Sequence, residues 1–239
     1  MTMLSGITGR VGNKARSDDV PAHEWGEKPF ATDYVFYPHA DILTASAPHL
    51  LSASGWITNG TVSVVAGSGG DFLSATDRGT PAHFLCNATG ERLTSPFIFG
   101  GEVHTRMIRQ KYGWTPKKLI SEFAAIWTTA SNADTTGGIG FVEAGGAIQT
   151  AADHLAMITS DGTNFILRSG AATSDAVLAV DTNPHIWRIE YTADLVVFYQ
   201  DGVSIDSIAV ETDLFPAAFG CAVTSSNVLG LGATRIWYE

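Results

Sequence analysis

Only two cysteines, Cys86 and Cys221, occur in 239 residues. Each sits inside an apolar, strand-like run, so the expectation is a pair of buried thiols in a reducing compartment rather than a disulfide bridge. The seven histidines (His23, His39, His49, His83, His104, His154, His185) are scattered. No His-x-x-x-His pair occurs, and no cysteine lies at metal-ligand spacing, which excludes a zinc-type centre. No stretch approaches the roughly 18 apolar residues of a membrane span, and Met1 to Gly6 lacks the apolar core of a signal peptide, so neither membrane insertion nor export is expected. Basic residues are scarce where the acids accumulate: beyond Glu122 there is no lysine, and only Arg168, Arg188 and Arg235 remain, in a chain of net charge -10. That balance offers no basic stripe for nucleic acid. No Gly-x-Ser-x-Gly or phosphate-binding loop is present. Gly138-Ile139-Gly140 lacks the third glycine and the following helix of a dinucleotide site, so no cofactor is expected.

What is abundant suits many short strands. Hydrophobic residues make up 45% of the chain, enough for a sizeable core, and 25 glycines accompany frequent Thr, Ser, Val and Ala. Residues 1–45 differ from the rest. They carry Arg10, Lys14, Arg16 and the prolines Pro21, Pro29 and Pro38 with neither a period of two nor one of 3.6, yet include Trp25, Phe30, Tyr34, Phe36 and Tyr37. Too aromatic for a solvated tail, this stretch is expected to be an extended arm that wraps its own domain or docks on a partner. Residues 46–239 are expected to form the folded domain.

From Ser54 onward strand candidates alternate with turn signals. Gly55 to Thr58 and Thr61 to Ala66 flank Asn59-Gly60, which predicts a hairpin. Further strands are predicted at Asp71 to Ala75, His83 to Asn87, Pro96 to Phe99, Glu102 to Gln110, Gly138 to Val142, Leu155 to Ser160, Phe165 to Arg168, Ala176 to Val180, Phe219 to Thr224 and Ala233 to Tyr238. Lys117 to Ala130 carries a helical stripe (Leu119, Phe123, Ile126), but its run through Trp127, Thr128 and Thr129 favours a strand. Asp161-Gly162-Thr163-Asn164 predicts another hairpin.

The most informative stretch is Pro184 to Asp206. Trp187, Ile189 and Tyr191 alternate with Ile186, Arg188, Glu190 and Thr192, the period of a strand. Ala193-Asp194 then leads to the run Leu195 to Tyr199, and Asp201-Gly202 turns the chain into Val203, Ile205 and Ile208, which predicts a three-strand antiparallel meander. Trp-x-Ile-Glu-Tyr-Thr, a hydrophobic run, an aromatic and Asp-Gly resemble the late strands of the concanavalin A-like lectin and glucanase superfamily, which includes laminin-G-like modules. The resemblance covers about residues 54–239. It implies an all-β, antiparallel two-sheet jelly-roll sandwich, with the terminal Ile236-Trp237-Tyr238 paired near Ile57. It says little of activity, because that fold hosts lectins, glycosidases and structural modules alike.

Three patterns test for chemistry. Glycosidases of this superfamily carry alternating carboxylates on one strand, and the nearest match is Glu211-Thr212-Asp213, where Pro216 stands in place of a second Glu. A solvated loop is the preferred reading, and no catalytic residue is assigned. Asn132, Asp134, Thr136 and Glu143 match the spacing of a calcium loop. Asn at the first position and strand-like flanks oppose it, an exposed turn is preferred, and no metal is expected. Trp114, Trp127 and Trp187 offer aromatic faces to a sugar, although tryptophan within a strand is more often core.

The leading expectation is a non-enzymatic structural protein of a virion. Gly140-Phe141-Val142-Glu143 with its following glycines, and Asp153-His154 through Phe165, loosely resemble laminin-G-like domains of bacteriophage virion proteins. That resemblance implies a capsid decoration or auxiliary protein, made in the host cytoplasm. Its arm residues Arg10, Lys14, Arg16, Trp25, Phe30 and Tyr34 would contact a major capsid protein or another virion protein, with self-association left open. The alternatives are a carbohydrate-binding module using Trp127, Asp161 and Asn164, such as a receptor-binding virion component, and a glycan-cleaving enzyme.

Overall fold

The computed structural model describes residues 33–36, 57–59, 63–66, 82–86, 92–94, 113, 117–129, 134–142, 154–210, 218–223 and 228–239. The chain divides after Thr32, and everything described belongs to the unit Asp33–Glu239. Among the described residues every regular element is a strand. In chain order these are β1 (Asp33–Phe36), β2 (Ile57–Asn59), β3 (Ser63–Ala66), β4 (Ala82–Cys86), β5 (Arg92–Thr94), β6 (Leu119–Thr129), β7 (Asp134–Val142) and β8 (His154–Ser160). Then come β9 (Asn164–Ser169), β10 (Ala172–Thr173), β11 (Leu178–Ala179), β12 (His185–Tyr191), β13 (Leu195–Gln200), β14 (Val203–Ala209), β15 (Ala218–Ala222) and β16 (Val228–Tyr238).

The strands form two antiparallel sheets packed as a sandwich, the all-β architecture expected from the sequence. The first sheet runs β14-β13-β12-β6-β16-β4-β3, and β1 also pairs with β16. The second runs β10-β9-β8-β7-β15-β5-β2, and β11 also pairs with β9. The meander is β12, β13 and β14, with Ile189 opposite Phe198 and Val196 opposite Ile208. Its second turn lies between the paired Gln200 and Val203, where Asp201 has φ 51° and Gly202 φ 82°. Two successive positive φ values make a type I′ turn, whose twist matches that of the strands it joins. The stretch with both helical and strand character is β6. It is bonded along one edge to β12 and along the other to β16, and two ladders outweigh a local helical stripe.

Four expectations are revised. Asn59-Gly60 does not close a hairpin: β2 pairs with β5 in the second sheet, and β3 pairs with β4 in the first. An Asn-Gly pair permits a reversal, but long-range pairing decides which strands meet. The final strand does not lie beside Ile57. β16 occupies the interior of the first sheet, with Tyr238 opposite Leu119 on β6, while its other edge is shared by β4 (Leu229 to Leu231) and β1 (Thr234 to Trp237). Part of the expected arm is a strand, β1, with Tyr34 opposite Ile236. The exposed turn expected around Asn132 to Glu143 is strand from Asp134 on, and within β7, where the predicted strand Gly138 to Val142 lies, Gly138 has φ +142° and a Cβ there would overlap the carbonyl oxygen of Ile158, a glycine-dependent close approach of β7 to β8. The strands predicted at Asp71 to Ala75, Pro96 to Phe99 and Glu102 to Gln110 lie outside the described residues.

The core sits between the sheets and is tied across them by rings. Trp127 (β6) and Trp187 (β12) of the first sheet meet Phe165 (β9) of the second, with centroids 4.9 Å and 5.1 Å from it. Phe123 (β6) meets Phe219 (β15) at 5.0 Å, and Phe219 meets Phe141 (β7) at 5.5 Å, mostly edge to face. Such geometry adds to the burial of area that dominates the stability of a sandwich. Cys221 (β15) is a thiol with no exposed surface, not a disulfide partner.

Candidate functional site

Because Trp187, Ile189 and Tyr191 point into the core, the period of two places Ile186, Arg188 and Glu190 on the opposite face of the first sheet. Register extends that face sideways. Arg188 lies opposite Glu122 on β6 and opposite Tyr199 on β13, and Glu122 in turn lies opposite Arg235 on β16. The next row holds Val197, Glu190, Ile120 and Trp237. One face therefore gathers two arginines, two glutamates, a tyrosine and a tryptophan from four adjacent strands.

The side chains organise around Trp237. The guanidinium carbon of Arg235 stands 4.4 Å from its ring centre. That of Arg188 reaches across β6 to within 5.6 Å of the same ring and is 5.7 Å from Tyr199. Guanidinium planes near aromatic faces gain from both the cation and the flat contact. Arg188 also donates to Glu190 at 2.5 Å, and Lys118 donates to the other Glu190 oxygen at 2.7 Å. Lys118 is placed by the chain end: its backbone N–H donates to the Glu239 carbonyl and its own carbonyl accepts from Glu239 N–H, at 2.8 and 3.0 Å. Glu190 itself is 7% exposed. Burial alone would push its carboxyl up, but the Lys118 hydrogen bond and the charges of Arg188 and Lys118 outweigh this and hold it below the usual range. Lys118 is raised in return, chiefly by its hydrogen bond to Glu190. Among the described residues, the buried Nε–H of Arg188 finds no acceptor.

Chemically, this face presents planar N–H donors beside aromatic surface, with one carboxylate locked in its ionised form. That is equipment for holding oxygen-rich groups. Glu190 itself is held in the wrong state for a general acid.

The residues singled out in the sequence are distributed differently. Trp127 is corrected: it is 3% exposed and packs on Phe165 and Trp187, so it has no face to offer a sugar. Trp187 is fully buried as well. Asp161 and Asn164 do come together in the β8–β9 turn, where Asp161 Oδ1 accepts from the backbone N–H groups of Asn164 (2.6 Å) and Thr163 (2.8 Å). Those bonds, that to Asn164 first, lower its carboxyl, and they commit it to shaping its own turn. The calcium spacing falls on a strand rather than a loop, since Asp134 and Thr136 belong to β7. Asn132 and Glu143 lie outside the described residues, as do Glu211, Asp213, Trp114, Arg10, Lys14, Arg16, Trp25 and Phe30. Tyr34 is the arm candidate that the structure places, in β1.

Arg188, Arg235 and Trp237 were missed. Their signal was present: two of the three arginines beyond Glu122 stand in Trp187-Arg188-Ile189-Glu190 and Thr234-Arg235-Ile236-Trp237, each offset by one from core aliphatics.

No family model and no curated protein matches this chain. Among solved structures it is similar to the carbohydrate esterase vb_24B_21 of the Shiga toxin-encoding bacteriophage phi24B, at 12% identity and TM-score 0.50, over 85% of this chain and 98% of that one. It is similar to the cellulose-induced protein Cip1 at 9% identity and TM-score 0.50, over 76% and 90% of the two chains. An alginate lyase from Corynebacterium sp. matches at 9% identity and TM-score 0.38 over 52% of this chain, and this chain spans 59% of that lyase. At such identities the likeness is one of architecture: the chain shares the β-sandwich fold of the esterase and of Cip1.

Proposed function

We propose that this chain is a non-enzymatic, lectin-like module of a virion that binds a glycan on the outer face of its first sheet. The observation that carries the reading is the stack of Arg188 and Arg235 on Trp237, with Tyr199 alongside. Saccharides are recognised by planar donors that fork onto ring oxygens and by aromatic surface that packs on C–H faces. Binding is favoured over cleavage because Glu190 is fixed as a carboxylate by Lys118 and Arg188. A glycan array probed with the full chain tests this: glycans retained by the wild type are lost on Trp237→Ala while the melting temperature holds. Retention by that variant would move the site elsewhere.

A second reading, the capsid decoration protein whose N-terminal residues dock on a shell protein, is favoured by β1. Asp33–Phe36 is bonded into the sandwich, which gives whatever precedes it a fixed point of attachment. Removing residues 1–32, rather than 1–45, would spare β1; particles that still took up the shortened chain would refute the docking role.

A further inference from the structure

The first sheet ends at β14, which has a partner strand on one side only among the described residues. Val210 N–H donates to the Asp194 carbonyl, just ahead of β13, at 3.1 Å. Alternation then turns the N–H and C=O groups of Asp206 and Ile208 towards β13 and those of Ser207 and Ala209 outward. Such an edge is a template for another strand. Its sequence from Val203 to Ala209, Val-Ser-Ile-Asp-Ser-Ile-Ala, is of a kind that pairs readily: rich in β-branched residues, free of proline and glycine, with Val203 exposed and a single charge, Asp206.

That one charge is set against pairing. Asp206 Oδ1 accepts from the Ser207 N–H at 2.8 Å, so an outward donor of the edge is already taken. Asp206 lies opposite the fully buried Phe198, which turns its carboxylate towards the second sheet, and there Oδ2 accepts from the Ser174 hydroxyl, just beyond β10. Ser174 Oγ accepts in turn from Ala176 N–H at 2.9 Å, and Ser174 N–H donates to the Leu167 carbonyl at 3.0 Å, so the β10–β11 link is fastened to both β9 and β14. The bonds from Ser174 and then Ser207 hold the Asp206 carboxyl below its usual range, which keeps the charge in place at neutral pH. Beside it the register shifts: Phe198 faces Asp206 but Tyr199 faces Ser204, and the extra residue Ile205 is a bulge that bends the edge.

We infer that Asp206 is a gatekeeper: it shuts the free edge of the first sheet against a second copy of this chain. A second copy is the occupant that the strand itself selects, because an edge meets its own twin by two-fold symmetry. In full antiparallel overlap of Val203–Ala209 with itself, Asp206 stands at the centre and faces Asp206 of the other copy. The position is a non-hydrogen-bonded one, where facing side chains come closest and like charges destabilise the pair. Each carboxylate would also have to release the Ser207 N–H that the new ladder needs. Sliding the register by two residues separates the charges but shortens the ladder at both ends. The inference is independent of the glycan-binding reading, and it removes one route to the self-association that the sequence leaves open.

Sedimentation velocity of the full chain over a concentration series tests it. Asp206→Val removes both the charge and the cap, and should lower the dimer dissociation constant by about tenfold or more relative to the wild type, the scale set by relieving a like-charge cross-strand pair and freeing an outward N–H on each copy. Asp206→Asn keeps an oxygen acceptor for the Ser207 N–H and loses only the charge, so it should change association in the same direction by less. A misfolded chain also associates, and Ser207→Pro added to Asp206→Val separates the two causes. That proline deletes the outward N–H, breaks no bond to β13, and should restore wild-type sedimentation. Unchanged association in Asp206→Val overturns the inference. Association that Ser207→Pro fails to reverse places the new contact elsewhere and overturns it too. A wild-type dimer weakened by Ser207→Pro would show the edge already in use, with the same consequence.

Discussion

His185 keeps both ring nitrogens against carboxylates: Nδ1 lies 2.6 Å from Asp201 Oδ2 and Nε2 lies 3.0 Å from Asp181 Oδ1. A neutral imidazole donates from one nitrogen only, so the doubly bonded arrangement belongs to the imidazolium. Burial opposes the charge, but the bonds to Asp201 and then Asp181 overcome it and raise the group above its ordinary 6.5. A folded value above the unfolded one stabilises the fold fully below pH 6.5, and that contribution fades as pH rises through the folded value. Asp201 Oδ1 also accepts from Ile186 N–H at 2.9 Å, so the ring fastens the β13–β14 turn to the crossover before β12. Urea midpoints should therefore fall as pH climbs past 6.5, and His185→Gln should flatten that slope. The effect is modest, because the side chains of Asp181 and Asp201 are 45% and 52% exposed and water screens them. An unchanged slope in the variant would assign the pH dependence to other groups. Glu190 acts in the opposite sense, since its depressed value adds stability above the unfolded 4.5 that is lost as acid protonates it.

Two turns with nearly the same chemistry show what strand elements disclose and what they hide. Asp201-Gly202 and Asn59-Gly60 both permit positive φ, yet only the first closes a hairpin. Flanking strands of the meander complement each other on one face, Ile189 against Phe198 and Tyr191 against Val196, so local pattern and final pairing agree. β2 and β3 each find better partners elsewhere, and no local pattern encodes that. Gly202 is correspondingly sensitive: its φ of 82° disfavours a Cβ although nothing lies within 4 Å of one. Gly202→Ala should cost about 1–2 kcal/mol through backbone strain alone, read from denaturant unfolding. A loss well beyond that would mean the turn also shifts the His185 contacts. The same reasoning explains why the meander was legible and the site was not. Period two states which residues share a face of one strand, whereas the meeting of Arg188 with Trp237 depends on β6 lying between β12 and β16. It also explains Trp127, whose strand was anticipated but whose face is fixed only by where the second sheet lies.

At the scale of the whole molecule, the aromatic contacts between sheets make the sandwich a single cooperative body. Cys221 reports on it, being fully buried in β15 between β7 and β5. In a Cys86→Ser background, thiol labelling of Cys221 should proceed only as fast as global unfolding, with equal rates from fluorescence and labelling. Faster labelling would show the second sheet opening while the first stays closed. The first sheet has a different dependence, on time rather than on access. β16 is made after every strand it joins, and it stands in the sheet's interior, with Tyr238 against Leu119 and Leu231 against Phe84. Until β16 has emerged from the ribosome, β6 and β4 each lack the strand that pairs with them. Pairings so distant along the chain fold slowly, and bare edges invite pairing with other chains. The growing polypeptide is therefore most at risk of aggregation in the interval between the emergence of β6 and that of β16, and a chaperone that shields β6 during that interval would raise the yield of folded protein.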